Sequence, residues 1–308
     1  MSSVPKKIFV VPYRNRPQHK FFLSKYLTFL LEDESPSDYA IYFSHQCDDR
    51  PFNRGATKNI GFLAMKNKYP NDYKSMTFIF NDVDTMPFNK IFNYDTTVGT
   101  VQHLYGFLYA LGGIVIFKGE DFERINGYPN YWGWGMEDNV LQKRCLNNGI
   151  IIDRSQFYKI GDLNILQLFD GIKRVITRKE QERSIYDNGV DGLTTIYGLS
   201  YSIDLTSTNK EDNTPMFKFE HPNIFFININ TFQTLNPVVP SELKTYDLRD
   251  KQDIIYKKTD NKNAVQMNIG SKQVNASVNI FSPSYAKDNK VKARASPSAR
   301  INMFGIQK

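Results

Sequence analysis

Apolar positions along this chain fall into two alternating spacings. Lys7-Ile8-Phe9-Val10-Val11 is a short unbroken apolar run, as in a strand buried on both faces. After Pro12-Tyr13-Arg14-Asn15-Arg16 comes Pro17, well suited to open a helix that carries Phe21, Phe22, Leu23, Tyr26, Leu27 and Leu30. The strand pattern returns at Tyr39-Ala40-Ile41-Tyr42-Phe43, and an amphipathic helix bearing Ile60, Leu63, Ala64 and Met65 follows. Ser75 to Phe80 is a β-rich apolar run that ends abruptly in Asn81-Asp82-Val83-Asp84. Strands taking turns with helices predict an α/β fold, an open sheet flanked by helices. Lys173 to Tyr186 reads as helix-prone, Asp191-Gly192-Leu193 as a turn, and Thr195 to Ile203 as the last strand of a domain covering residues 1–205.

Past residue 205 the pattern changes. Residues 206–213 read as a polar linker, His221 to Phe232 alternates around Ile224, Phe226, Ile227 and Ile229 as a half-buried strand does, and Ala264 to Phe281 alternates again. This predicts a smaller β-rich extension over 206–286, followed by a basic, weakly ordered tail over 287–308. There is no clear internal repeat.

Composition narrows the class. With 41% hydrophobic and 14% aromatic residues the 308-residue chain has ample material for a core. An excess of 39 basic over 32 acidic residues, net +7, suits anionic small molecules without implying nucleic acid, and much of it lies in the tail. No signal peptide or spanning segment is visible, and two cysteines, Cys47 and Cys145, do not call for an oxidising compartment. The expectation is a cytoplasmic protein. Abundant Lys, Asn, Ile and Tyr are compatible with an AT-rich genome, such as that of a large DNA virus.

Four segments carry candidate chemistry. Tyr131-Trp132-Gly133-Trp134-Gly135-Met136-Glu137-Asp138-Asn139 sets the only two tryptophans and two adjacent carboxylates on a glycine-hinged turn at a helix start. Indoles pack on the C–H face of a pyranose, and a carboxylate near a hydroxyl can take its proton. The same residues also suit a packed corner with an acidic first turn. Asp82-Val83-Asp84 delivers acids to the carboxyl edge of a strand, where open α/β sheets bind ligands, and suits a hard divalent cation bridging diphosphate oxygens. Arg14 and Arg16 on the first strand-to-helix turn can clamp phosphates, or form a solvated basic turn. Phe52-Asn53-Arg54 supplies an aromatic and an arginine for a nucleobase and its ribose.

In this order the segments resemble the β-1,4-galactosyltransferase family, metal-dependent inverting enzymes with a GT-A fold that use UDP-sugars. Pro12-Tyr13-Arg14-Asn15-Arg16 resembles its Pro-Phe-Arg-x-Arg motif, Phe52-Asn53-Arg54 its Phe-Asn-Arg motif, and Asp82-Val83-Asp84 its metal motif. Gly112-Gly113, Trp132-Gly133-Trp134-Gly135-x-Glu137-Asp138 and Asp191-Gly192-Leu193 follow, so that the resemblance spans about residues 7 to 200. It implies a donor site of Pro12, Tyr13, Arg14, Arg16, Phe52, Asn53, Arg54, Asp82, Val83, Asp84, Gly113 and Trp134, with Mn²⁺ or another divalent cation on Asp84. It also implies an acceptor site of Trp134, Met136, Glu137 and Asp138, in which Glu137 holds the acceptor sugar and Asp138 is the general base.

Departures from the family pattern sharpen the expectation. The family's Met-x-x-His pair, which completes the cation shell, has no counterpart: Ile165-Leu166-Gln167-Leu168 stands nearest, flanked by Asp162 and Asp170. Carboxylates in place of the imidazole favour a harder cation; a weaker site or lost metal binding are the other readings. Ala110 stands where vertebrate galactosyltransferases carry a tyrosine beside the donor's C2 substituent, which predicts a pocket that admits an N-acetyl group unless Tyr109 or another ring fills it. Asn139 replaces a third acid. The expectation is transfer of Gal, GalNAc or GlcNAc from a UDP donor to a glycan or glycoconjugate acceptor; the alternative is a degenerate relative that binds nucleotide sugar or glycan without turnover.

Overall fold

A computed structural model describes residues 4–169 and 171–249, together with the strand backbones Met267–Ile269 and Lys272–Val274. Alternation within the first strand organises the rest. In β1 (Lys7–Tyr13), Ile8 and Val10 face one side of the sheet, where α2 (Arg54–Lys68) packs through Ile60 and Met65. Phe9, Val11 and Tyr13 face the other side, where α1 (Pro17–Leu30) packs through Leu23, Leu27 and Leu30. Strand β1 lies between β2 (Tyr39–Gln46) and β3 (Thr77–Asn81), parallel to both. All three are buried along their length except Lys7, as the unbroken apolar runs require.

The acidic edge of β3 turns into β4 (Thr85–Pro87). Then come β5 (Thr100–Gly106), β6 (Ile114–Lys118), α3 (Gly119–Arg124) and α4 (Glu137–Asn147). Short strands β7 (Ile151–Asp153), β8 (Tyr158–Lys159) and β9 (Ile165–Gln167) follow. β10 (Lys173–Thr177), α5 (Arg178–Ile185), β11 (Tyr197–Asp204), β12 (Ile224–Gln233) and β13 (Leu243–Asp247) come next, and β14 (Met267–Ile269) pairs with β15 (Lys272–Val274). The large sheet runs β11-β12-β2-β1-β3-β6-β5-β7, with β8 also on β5 and with both parallel and antiparallel neighbours. Two small ribbons, β4 with β9 and β10 with β13, stand apart from it.

Two expectations change. Residues 173–177 are strand rather than helix, because Val175, Ile176 and Thr177 are β-branched; Thr177 ends the strand and caps α5 by accepting the Lys179 N–H. Residues 224–233, assigned from sequence to an extension, form β12 in the main sheet, parallel to β2, with Ile227 and Ile229 in the core. Of the stretch 264–281 only β14 and β15 are described, and the tail 287–308 lies outside the described residues. Among the described residues no helix is long and apolar enough to cross a membrane.

Candidate active site

The strand-edge acids are held by their own turn. The Asn81 side-chain amide donates to the carbonyls of Asp82 and Thr85, Asp82 N–H donates to Gly113 O, and Leu168 N–H donates to Asp84 O at 2.7 Å. Strand β9 therefore lies beside Asp84: Thr85 pairs with Gln167 in an antiparallel register. The run Ile165-Leu166-Gln167-Leu168, which stands nearest to the family's Met-x-x-His in sequence, thus lies beside the acidic edge and brings an amide rather than an imidazole. Gln167 Oε1 accepts from the Tyr105 hydroxyl at 2.7 Å.

Arg54 follows Asn53, whose side chain caps α2 by accepting the Ala56 N–H. Its guanidinium ties three acids together. Nη1 lies 2.5 Å from Glu137 Oε1 and 2.8 Å from Asp138 Oδ2, and Nη2 lies 2.6 Å from Asp82 Oδ2. Burial opposes the charge on Arg54, but Asp138, Asp82 and Glu137 outweigh it and hold its pKa well above the ordinary value. Burial also opposes the charge on Asp82, but Arg54 and Lys58 win and keep it below the usual carboxylate range. For Glu137 the balance goes the other way: burial first, then the neighbouring Asp138, raise its pKa despite Arg54.

One residue of this cluster was not singled out from sequence. Lys58 is 1% exposed, with its ammonium 3.5 Å from Asp82 Oδ1, 3.7 Å from Asp138 Oδ1 and 4.6 Å from the Tyr128 ring centroid. Its signal was available: it lies four residues after Arg54, on the same face of α2.

Asp138 sits over the Gly112 backbone. A Cβ on Gly112 would lie 2.4 Å from Asp138 Oδ2, so only glycine leaves the carboxylate where it is. Leu111 N–H donates to Asp138 O at 2.9 Å. Asp138 Oδ1 and Glu137 Oε2 carry no hydrogen bond and remain as acceptors.

Arg54, Asp82, Asp84, Gly112, Glu137 and Asp138 line one cavity of about 640 Å³. Of the residues expected there, Pro12, Arg16, Phe52, Arg54, Asp82, Val83, Asp84, Ala110, Gly113, Trp134, Met136, Glu137 and Asp138 all line it. Arg16 Nη1 stands 3.6 Å from Asp84 Oδ2. Ala110 shares its wall with Phe107 and Tyr109, whose rings stack 5.1 Å apart, and Asn139 donates to Tyr109 O.

Tyr13, Arg14 and Asn53 do not line it. Tyr13 ends β1 on the face turned to α1 and hydrogen-bonds Asp212, Arg14 donates to Arg50 O, and Asn53 is spent on capping α2 and on Asn130 O. The two indoles also part company. Trp132 is 2% exposed, stacked on Phe232 with centroids 5.5 Å apart, and its Nε1 donates to Thr234 Oγ1 and Asn236 O. It is a core residue, and Trp134 alone reaches the cavity.

Around Asp84 the donor set is oxygen-rich. Asp82, Asp84 and Asp162 all line the cavity, and burial pushes up the pKa of the nearby Tyr105 hydroxyl, with the negative charge of these three acids acting in the same direction. Among the described residues no group of three or more His, Cys, Asp or Glu is arranged to hold a metal unaided. Asp170 lies outside the described residues. Such a site fits a hard cation that keeps waters and takes the rest of its shell from a bound phosphate, since these ions need few protein carboxylates.

A mixed sheet with an acidic strand edge and a helix start facing each other across a cleft is the GT-A arrangement, and comparison with known proteins agrees. The profile for the N-terminal region of glycosyl transferase group 7 matches residues 2–97, and that for the N-terminal domain of galactosyltransferase matches residues 96–167. Together they cover more than half of the chain, which belongs to the galactosyltransferase family. Mouse β-1,4-galactosyltransferase 1 is 34% identical over 162 residues, 49% of this chain and 39% of that protein. Rat β-1,4-galactosyltransferase 4 is 36% identical over 146 residues, 44% of this chain and 41% of that protein. The chain spans about two fifths of the length of these curated relatives. Among solved structures, a variant of Drosophila β-1,4-galactosyltransferase 7 in complex with manganese, UDP-Gal and xylobiose shares the fold with a TM-score of 0.56 at 19% identity, covering 78% of this chain and 98% of that one.

Proposed function

We propose that this chain is an inverting, divalent-metal-assisted glycosyltransferase that moves Gal, GalNAc or GlcNAc from a UDP donor to a sugar hydroxyl of a glycan or glycoconjugate. The observation that carries this reading is the meeting in one cavity of Arg16 and the Asp-x-Asp edge with Trp134, Glu137 and Asp138. The solved relative that holds manganese, UDP-Gal and xylobiose supports it.

In this reading Arg16 takes the charged end of the donor, Val83, Phe52 and Arg54 line the nucleotide, and Trp134 folds over the sugar. Asp84 would hold the cation, with Asp82 and Asp162 nearby; when bound, the cation offsets charge on the departing diphosphate. Glu137 positions the acceptor. Asp138 takes the proton of its attacking hydroxyl, leaving that oxygen to enter opposite the diphosphate and invert the anomeric carbon.

The test is release of UDP from UDP-Gal, UDP-GalNAc, UDP-GlcNAc and UDP-Glc, each with an acceptor sugar and with Mn²⁺ or a chelator. Release from at least one donor, lost on chelation, is expected. Release unchanged by stringent chelation would remove the metal from the scheme. UDP binding with no release from any donor would favour a nucleotide-sugar binder, the reading motivated by the missing histidine. At the C2 pocket, Ala110→Tyr should shift preference toward UDP-Gal over the N-acetylated donors by about tenfold, the size of one lost apolar contact.

A further inference from the structure

We propose that β13 is a positioning element of the active site: it holds β10 in place so that Trp134 stands against the cavity. The proposal rests on reading that cavity as a nucleotide-sugar site. Strand β13 comes after the last strand of the main sheet and pairs antiparallel with β10, from Lys173 opposite Asp247 to Thr177 opposite Leu243. Just past it, Leu248 N–H donates to Ile172 O at 2.8 Å.

Bonded and non-bonded pairs alternate along an antiparallel ladder. Arg174 with Tyr246 and Ile176 with Lys244 are therefore bonded pairs, and Val175 turns its N–H and C=O to the opposite edge. There Val175 O accepts the Trp134 N–H at 2.7 Å and lies 2.6 Å from where a Cβ on Gly133 would be. Strand β10 is thus a middle strand, with β13 on one edge and the Gly133-Trp134 backbone on the other. The Arg174 guanidinium lies 5.7 Å from the Trp134 ring centroid, with buried Tyr246 directly opposite Arg174 in register. Leu248 itself lines the cavity beside Val175 and Trp134. A two-stranded ribbon is marginal alone, so releasing β13 frees the strand that receives Trp134.

The ladder supplies a matched pair of tests, because proline removes a backbone N–H and is tolerated only where that N–H points away from its partner strand. Lys244→Pro removes a donor aimed at β10, whereas Thr245→Pro sits at a non-bonded position. Tyr246→Ala leaves every backbone donor in place and deletes the ring opposite Arg174. Trp132 is buried, so acrylamide quenching of tryptophan fluorescence reports mainly on Trp134.

Lys244→Pro is expected to raise both acrylamide quenching and KM for the UDP-sugar by about fivefold, with kcat changed less, as loss of donor positioning requires. Tyr246→Ala should move both in the same direction, and Thr245→Pro should leave them near wild type. Equal behaviour of the two proline variants would overturn the proposal, as would wild-type quenching and KM in Tyr246→Ala should Lys244→Pro fail to fold. Quenching needs no turnover, so a wild type that releases UDP from no donor would sink the proposed activity while the quenching contrast still decides the role of β13.

Discussion

Arg54 carries the charge balance of the site, since one guanidinium serves Asp82, Glu137 and Asp138. Replacing it with Ala leaves three carboxylates around a single buried ammonium, Lys58, and should cost roughly 3–5 kcal/mol, read as a lowered urea midpoint. Gly112→Ala tests geometry rather than charge. The new methyl group would displace the Asp138 carboxylate, and a shift of about 1 Å in a catalytic group costs about 10²-fold in rate. Loss of that size in kcat, with UDP affinity retained, is the expected result.

His103 sets an acid limit on stability. Its Nε2 faces the carbonyls of Tyr105 and Gly112, its Nδ1 accepts from Arg154 Nε, and burial followed by the Arg154 charge brings its pKa down to about 3 from 6.5. The unfolded chain therefore binds more protons between those values, so the neutral ring's contribution is complete above pH 6.5 and is lost as pH falls toward 3. Urea midpoints of His103→Gln should fall less steeply over this window than those of the wild type; parallel curves would refute the assignment. Tyr13 was misplaced from sequence because its role depends on which face of β1 it leaves on, which motif order does not encode, whereas Lys58 could have been found from its helical spacing after Arg54.

Among the elements, β1, β2, β3, α1 and α2 were legible because unbroken apolar runs and helical spacing reflect burial directly. The stretch 206–213 misleads for a physical reason. Its polar residues look solvated, yet Ser207 and Asp212 are buried, pairing with His45 and with Tyr13 and Lys20. What reads as a linker is a segment packed under the sheet that leads to β12. Ile227→Ala should accordingly destabilise the whole fold by about 2–5 kcal/mol in a single cooperative transition. A separate low-stability transition would instead mark β12 as part of an independent unit. Strands β10 and β13 escaped notice because short ribbons carry little periodicity, and the pairing that defines them joins residues about 70 apart in sequence.

Across the whole molecule, four motifs from separate stretches of sequence converge on one cavity because the open sheet brings its strand ends and helix starts to a common edge. The order of the motifs made that convergence legible; the return of β9 to the acidic strand edge was not, because the pairing of Thr85 with Gln167 joins residues far apart in sequence. The central claim is that Asp138 acts as base in sugar transfer from a UDP donor. Its most direct test is steady-state UDP release with saturating acceptor and Mn²⁺, comparing wild type with Asp138→Asn, alongside UDP affinity for both. The account predicts a fall in kcat of about 10²- to 10⁴-fold with UDP affinity within a few-fold of wild type. Turnover preserved in Asp138→Asn would contradict it.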